Sequence, residues 1–302
     1  MNPFSSSDKS SAMLLGLAFG DALGTTLEFS KRDSQPKITQ IEGGGPFNLP
    51  VGAWTDDTSM ALCLAKSLID CWGFDLNHQL SYYLRWYRQG FCSSTGRCFD
   101  IGHTTEKALL HFEETGEMMK CYGEFNAGNG SLMRLAPIVM FYSQDYDAAL
   151  YFAGESSKTT HAHPACVESC WILASILWDA MQGISDKETL LSAYRGDVIT
   201  TLELLPIVDM GYRHKSRDQI KSTGYVVDSL EAALWSFWIT DSFEDAIVMA
   251  ANLAGDSDTI AAICGQVAGA YYGEQAIPNE WKDKLYQRNE IARIAQELTL
   301  LK

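Results

Sequence analysis

Glycine recurs at every fourth position in two places, at Gly16, Gly20 and Gly24 near the start of the chain and at Gly265, Gly269 and Gly273 near its end. That spacing lines the glycines of each stretch along one stripe of a helix, where the missing side chains let a neighbouring helix approach closely. Each helical glycine costs about 1 kcal/mol of propensity relative to alanine. A chain that keeps a row of them is therefore read as having tightly packed central helices. Glycine stripes also pair helices in membranes, but Asp21 interrupts the first stretch and the second is too short and polar to span a bilayer.

Helical rather than alternating periodicity runs over Met13 to Phe29, Ser59 to Cys71, Leu76 to Gln89, Thr104 to Glu113, Cys166 to Met181, Ser229 to Trp238 and Phe243 to Leu253. The fold class is all-α. Glycines otherwise gather in connectors, at Gly43 to Gly45, Gly123 to Gly130 and Gly183 to Gly224. None of these reads as a linker, so residues 1–302 are expected to form a single domain, with 46% hydrophobic residues to fill its core.

A formal charge of -15 disfavours a general attraction to nucleic acid or anionic lipid, and any anionic ligand needs local compensation such as metal ions. The start, MNPFSSSDKSS, lacks a secretory signal, so a cytoplasmic protein is expected, without a membrane span and acting as a monomer. Cysteines 63, 71, 92, 98, 121, 166, 170 and 264 lack the paired spacing of a zinc site and are expected to be buried thiols.

The stretch GAWTDDTSM places Asp56 and Asp57 side by side between Thr55 and Thr58 at a helix start, and Gly255-Asp256-Ser257-Asp258-Thr259 repeats the theme before another apolar run. Either turn alone reads as a helix cap. If the two meet, they form a cluster of oxygens whose carboxylates repel unless a cation neutralises them. Oxygen ligands without His or Cys favour Mg2+, Mn2+ or Ca2+ over zinc, and four acids suffice for two ions. The twelve-residue pattern of an EF-hand is absent. Spacing alone leaves metal site and capped helices both open.

Asn126 to Arg134 reads NAGNGSLMR, small residues before an apolar helix start. Glycines let backbone N–H groups turn toward a phosphate, and a helix N-terminus adds favourable partial charge. A plain turn has the same composition, and Arg134 can cap or pair structurally.

In order along the chain, Gly20-Asp21-Ala22-Leu23-Gly24 with Glu28, Trp54 to Thr58, Phe99-Asp100-Ile101-Gly102, Gly128-Asn129-Gly130-Ser131 with Met133-Arg134, Thr160-His161 and Gly255 to Thr259 resemble the ADP-ribosylglycohydrolase family, over about residues 12 to 281. Gly224 to Asp228, followed by Leu230 to Trp235, looks most like its bacterial dinitrogenase-reductase-activating branch. The resemblance implies a compact orthogonal helical bundle and two divalent cations, Mg2+ or Mn2+, in a cleft. It also implies hydrolysis of the bond between ADP-ribose and a modified side chain, arginine foremost, with serine, O-acetyl-ADP-ribose or nucleic acid linkages as the alternatives and an ADP-ribosylated protein or small ADP-ribose conjugate as partner. By the same resemblance, Thr55, Asp56 and Asp57 hold one ion, Asp256, Asp258 and Thr259 the other, and the diphosphate lies on Gly128, Asn129, Gly130 and Ser131, beside Met133.

Catalysis falls by resemblance to Asp100, placed over the scissile ribose, and Glu28, placed near the metals. Glu28 lies seven residues after Asp21 and so on the same helix face. Their alternative readings are an N-cap before Thr104 for Asp100 and a solvated acid for Glu28. His161 and Tyr225 are assigned to binding, with packing as the alternative for each. One departure stands out: Ala254 and Ser257 occupy positions where many relatives carry glycine and alanine, although no ligand is lost. A metal-dependent phosphoesterase and a catalytically silent relative are the competing classes. The connectors from Gly43 to Gly52 and from Gly183 to Gly224 are expected to set substrate choice.

Overall fold

The two glycine stripes meet each other. In the computed structural model, which describes residues 6–119, 127–192 and 194–301, helix α1 (Ser6–Gly24) lies antiparallel against α12 (Ser257–Tyr272). A Cβ on Gly16 would sit 2.1 Å from the Gly265 carbonyl oxygen, one on Gly20 2.1 Å from that of Ala261, and one on Gly24 2.4 Å from that of Ser257. From the other side, Cβ atoms on Gly265 and Gly269 would come within 2.0 Å of the Gly16 and Ala12 carbonyls. Backbone touches backbone along the whole contact, which only glycine permits. Gly273 is the exception to the expected stripe: it follows the end of α12 at φ 78 and closes the helix.

Both helices are buried nearly all round, from Ala12 to Leu23 and from Ser257 to Ala270. The other helices are α2 (Asp56–Cys71), α3 (Leu76–Gln89), α4 (His103–Thr115), α5 (Ala136–Phe141), α6 (Tyr146–Lys158), α7 (Pro164–Met181), α8 (Lys187–Ser192), α9 (Leu205–Val208), α10 (Val226–Trp238), α11 (Phe243–Ala251), α13 (Asn279–Lys284) and α14 (Arg288–Leu300). Of these, α2, α5, α7, α11 and α14 pack on α1, and α2, α7, α10 and α11 on α12. Phe19 on α1 meets Phe243 and Trp281 at ring-centroid distances of 6.5 and 6.3 Å, fastening α11 and α13 to the central pair. No strand forms among the described residues, which bears out the all-α expectation, and no described helix is long and apolar enough to cross a membrane.

Several sequence expectations need correction. The first helix stops at Gly24, where the Ser257 hydroxyl donates to the Gly24 carbonyl at 2.8 Å, and a 3-10 turn (Thr25–Leu27) follows. Glu28 therefore lies beyond the helix and not on the face of Asp21. The region from Gly183 to Gly224 holds α8, α9 and short 3-10 turns rather than an open connector, because Leu190, Leu204, Ile207 and Tyr212 bury their side chains in the core. Helices α6 and α14, with their polar outer faces, escaped the periodicity reading. Cys63, Cys166, Cys170 and Cys264 are buried, but Cys71 is exposed and Cys92 and Cys98 are half-buried; Cys121 and Asn126 lie outside the described residues.

Gly265→Ala tests the contact. Helix propensity alone would stabilise the variant by about 1 kcal/mol, whereas forcing a methyl against a backbone carbonyl costs about 1–3 kcal/mol or more. The expected result is a lower urea midpoint. Gly16→Ala added to it costs less than in the parent, because the first methyl has already parted the helices.

Candidate active site

Thr55 and Asp256 occupy the N-cap positions of α2 and α12, yet neither side chain makes a capping hydrogen bond. The capping alternative fails for both turns. Instead the side chains point at one another across the end of the central helix pair. The Thr55 hydroxyl lies 3.2 Å from Asp258 Oδ2 and 3.4 Å from Asp57 Oδ2, and Thr259 Oγ1 lies 3.3 Å from the same Asp57 oxygen. Helix N-termini carry partial positive charge, so both α2 and α12 favour the anionic side chains at their ends.

Asp21 holds this arrangement in place and was missed as a site residue. Its Oδ1 accepts from the Thr55 N–H at 2.8 Å and the Thr55 hydroxyl at 3.0 Å. Its Oδ2 accepts from the Thr58 N–H at 3.0 Å and the Thr58 hydroxyl at 2.6 Å. The carboxylate thus braces the first turn of α2 from the side of α1. A lone acid inside an otherwise apolar buried helix was the available signal, since such a group must find partners.

Acceptors outnumber hydrogens here. The single Thr55 hydroxyl hydrogen faces three carboxylate oxygens, and Asp57 Oδ1, Asp258 Oδ1 and Glu28 Oε2 are buried without a hydrogen-bond partner. Glu28, Asp100 and Asp258 each offer an oxygen within 4.8 Å of the others, so the two acids assigned to catalysis gather around an acid assigned to metal. Burial first, then the neighbouring carboxylates, drives Asp56, Asp57 and Asp258 far above the ordinary carboxylate range. The same causes push Glu28 up to about 12 and Asp100 up to about 8. Burial also raises Asp256, against the Asn129 amide that donates to its Oδ2 at 2.8 Å. An oxygen-only set with orphaned lone pairs and mutual repulsion has the chemistry of a hard divalent cation site.

The backbone is bent to make the cluster. Asp100 has φ 59 and sits before Gly102, the N-cap of α4, so it is not the cap its alternative reading required. Ala254 has φ 57 just ahead of Gly255 at φ 69. A left-handed alanine costs about 1–2 kcal/mol, which is the physical reason a glycine suits that position.

Opposite stands the glycine loop. Asn129 links it to the acids, donating from Nδ2 to Asp256 and to Ser229 Oγ, each at 2.8 Å, while its N–H donates to the Gly224 carbonyl at 3.2 Å. Gly128 and Gly130 back onto His161: a Cβ on Gly130 would lie 2.8 Å from its Cε1. Burial, then Arg134, pushes His161 down to about 3, so the ring is neutral. Arg134 donates to Thr160 Oγ1 at 2.6 Å, and that hydroxyl is hydrogen-bonded to His161 Nδ1 at 2.8 Å, which fixes the orientation of the ring. Arg134 is wholly buried over the Tyr83 ring and has the structural role of its alternative reading.

Two loop expectations change. Helix α5 starts only at Ala136, whose N–H donates to Gln266 Oε1 at 2.8 Å, so no helix N-terminus serves the glycine loop. The Ser131 hydroxyl turns inward to accept from Ser157 at 2.8 Å. Tyr225 supports the loop by its backbone, in a bridge with Gly128.

A cleft of about 350 Å3 joins these parts, lined by Glu28, Asp56, Asp100, Asp256, Asp258 and Thr259 of the acid cluster and by Gly128, Asn129, Gly130, Met133 and His161 of the glycine loop and its backing. Thr55 and Asp57 lie fully buried in the acid cluster itself. The profile of the ADP-ribosylglycohydrolase family matches residues 4–302. The chain belongs to the ADP-ribosylglycohydrolase family. It is 45% identical, over 99% of its length and 80% of the relative, to a protein of Pseudomonas putida named ADP-ribosylarginine hydrolase Tri1. It is 29% identical, over 94% of its length and 92% of the relative, to the ADP-ribosyl-[dinitrogen reductase] glycohydrolase of Rhodospirillum rubrum, the branch suggested by the sequence motifs. A solved structure titled ADP-ribosylglycohydrolase-related protein complex superposes with a TM-score of 0.86 at 39% identity, covering 98% of this chain and 99% of the other.

Raised carboxyl pKa values stabilise the fold below the ordinary carboxylate range and lose that contribution as pH rises through the folded values. With divalent metal chelated, the urea midpoint is therefore expected to fall as pH climbs through about 8, where Asp100 ionises. Asp57→Asn removes one of the repelling charges. It is expected to raise the Tm of the chelated protein, and to lack the Tm increase on adding Mg2+ or Mn2+ that is the expected outcome for the parent.

Proposed function

We propose that this protein hydrolyses the N-glycosidic bond between ADP-ribose and an arginine side chain, reversing mono-ADP-ribosylation, as a monomeric single-domain enzyme of the cytoplasm. The observation that carries the proposal is the buried oxygen cluster with unpartnered lone pairs at the wall of a cleft, in a chain 45% identical to a protein named for arginine-directed hydrolysis. Thr55, Asp56 and Asp57 would hold one divalent cation, Mg2+ or Mn2+, and Asp256, Asp258 and Thr259 a second. Bound there, the cations supply Lewis-acid polarisation of ribose hydroxyls and of water.

The remaining work belongs to the chain. The turn at Gly128 to Ser131 receives the diphosphate, with neutral His161 backing it. Glu28 and Asp100 face the reacting carbon. In the overall reaction the C1′–N bond breaks, water oxygen bonds to C1′, and a proton passes to the departing guanidine nitrogen, a transfer assigned to one of these two acids. Asp21 orients Thr55 and the α2 turn. All the acidic positions of the pattern are retained, which favours a catalyst over a silent binding relative.

Incubating the protein with ADP-ribosyl-arginine, ADP-ribosyl-serine, O-acetyl-ADP-ribose and ADP-ribosylated nucleic acid checks the linkage. Free ADP-ribose released from the arginine conjugate, and its loss on chelation, is the expected outcome; a phosphate product would point to a phosphoesterase. Glu28→Gln and Asp100→Asn separate the acids, and the proton-transferring one is expected to lose about 10²- to 10⁴-fold in kcat.

A further inference from the structure

Phe29 is a large apolar residue left in solvent beside the acid cluster. It is 69% exposed, holds φ 59, and follows Glu28 directly. A bulky residue held in the left-handed region is strained, and so exposed a side chain returns little packing for that strain. Its ring meets Phe47 at 6.4 Å, and Phe47 meets Phe99, the neighbour of Asp100, at 5.3 Å, both edge to face. Three aromatic rings thus form an arc anchored in sequence to the two proposed proton-transfer acids.

The arc is firmly mounted. The Phe29 N–H donates to the Gly255 carbonyl at 2.7 Å, tying it to the second acidic turn. The loop carrying Phe47 is fixed to the same segment: Thr26 Oγ1 donates to the Gly43 carbonyl at 3.0 Å, and a Cβ on Gly45 would lie 2.1 Å from the Thr25 carbonyl. Between segment and loop opens a second cleft of about 480 Å3, with Leu27, Ile38 and Pro46 as apolar surface and Glu42 as an acidic wall. Glu28 and Phe29 line both this cleft and the catalytic one.

We propose that Phe29, supported by Phe47 and Phe99, forms the subsite for the guanidinium of the modified arginine, whose aliphatic stem and following chain lie in the second cleft. A planar cation is held on an aromatic face by the ring quadrupole, with Glu42 and the chain's net charge of -15 complementary to a basic target. The glycine loop is attached to the acid cluster through Asn129 and Asp256, whereas the aromatic arc adjoins Glu28 and Asp100 in sequence, so the proposal gives the nucleotide and the target side chain different residues of the cleft. This inference rests on the arginine reading above.

The test compares Phe29→Leu, which keeps bulk and the same backbone cost, with Phe29→Tyr, which keeps the ring. For an ADP-ribosyl-arginine peptide, Phe29→Leu is expected to raise KM about 3- to 30-fold, with kcat and the Kd of free ADP-ribose within about twofold and Phe29→Tyr restoring the parent KM. Phe47→Leu, which removes the ring's support while leaving the segment of Glu28 untouched, is expected to shift KM in the same direction. An unchanged KM in Phe29→Leu overturns the subsite, as does an equal loss of free ADP-ribose affinity, which would make the arc a nucleotide platform. A parent protein that releases ADP-ribose from serine but not arginine conjugates overturns the arginine reading and the subsite with it.

Discussion

The contact of α1 with α12 is the constraint on which the rest of the molecule depends. Because the two backbones touch, neither helix can slide or rotate without a carbonyl striking a Cα, and the level at which their ends meet is set to within a fraction of a turn. Gly24 lies against the backbone of Asp258, and a Cβ there would come within 2.5 Å of its Cα. That places Asp21, one turn earlier, where it can brace the start of α2. The acid cluster is thus built at the open end of a rigid two-helix wedge, with α2 delivered to it as a third helix end.

Rigidity is needed because the cluster opposes folding. Six carboxyl groups, from Glu28, Asp56, Asp57, Asp100, Asp256 and Asp258, line or underlie one cleft. Burial raises every one of them, and repulsion from neighbouring carboxylates adds to it for all but Asp256. The protein offsets this with helix N-termini, the Thr55 and Thr259 hydroxyls and the Asn129 amide, but these leave buried oxygens without partners. Strained backbone at Phe29, Asp100 and Ala254 gathers at the same place. Local conflict of this kind marks a site selected for ligand chemistry rather than stability.

Much of this was legible one residue at a time. The glycine stripes announced close helices, the paired acidic turns announced a joint oxygen site, and the ordered motifs announced the family. What could not be read was orientation. Nothing in GAWTDDTSM tells a capping threonine from one that turns to Asp21 and Asp258, because both uses suit the same local sequence. Asp21 looked like an interruption of an apolar stripe, since its partners lie more than thirty residues away. The helical look of Thr25 to Phe29 concealed a break that the Ser257 hydroxyl enforces from the far end of the chain.

By itself the sequence determined the helical class, the two close-packing faces and the inventory of oxygen ligands, because these follow from composition and from spacing along a single element. Only the tertiary structure decided that the two stripes face each other, that Glu28 and Asp100 join Asp258, and that three phenylalanines share one arc beside them. Those are relations between residues far apart in the chain, and they are set by backbone contact and buried charge, which local periodicity does not encode.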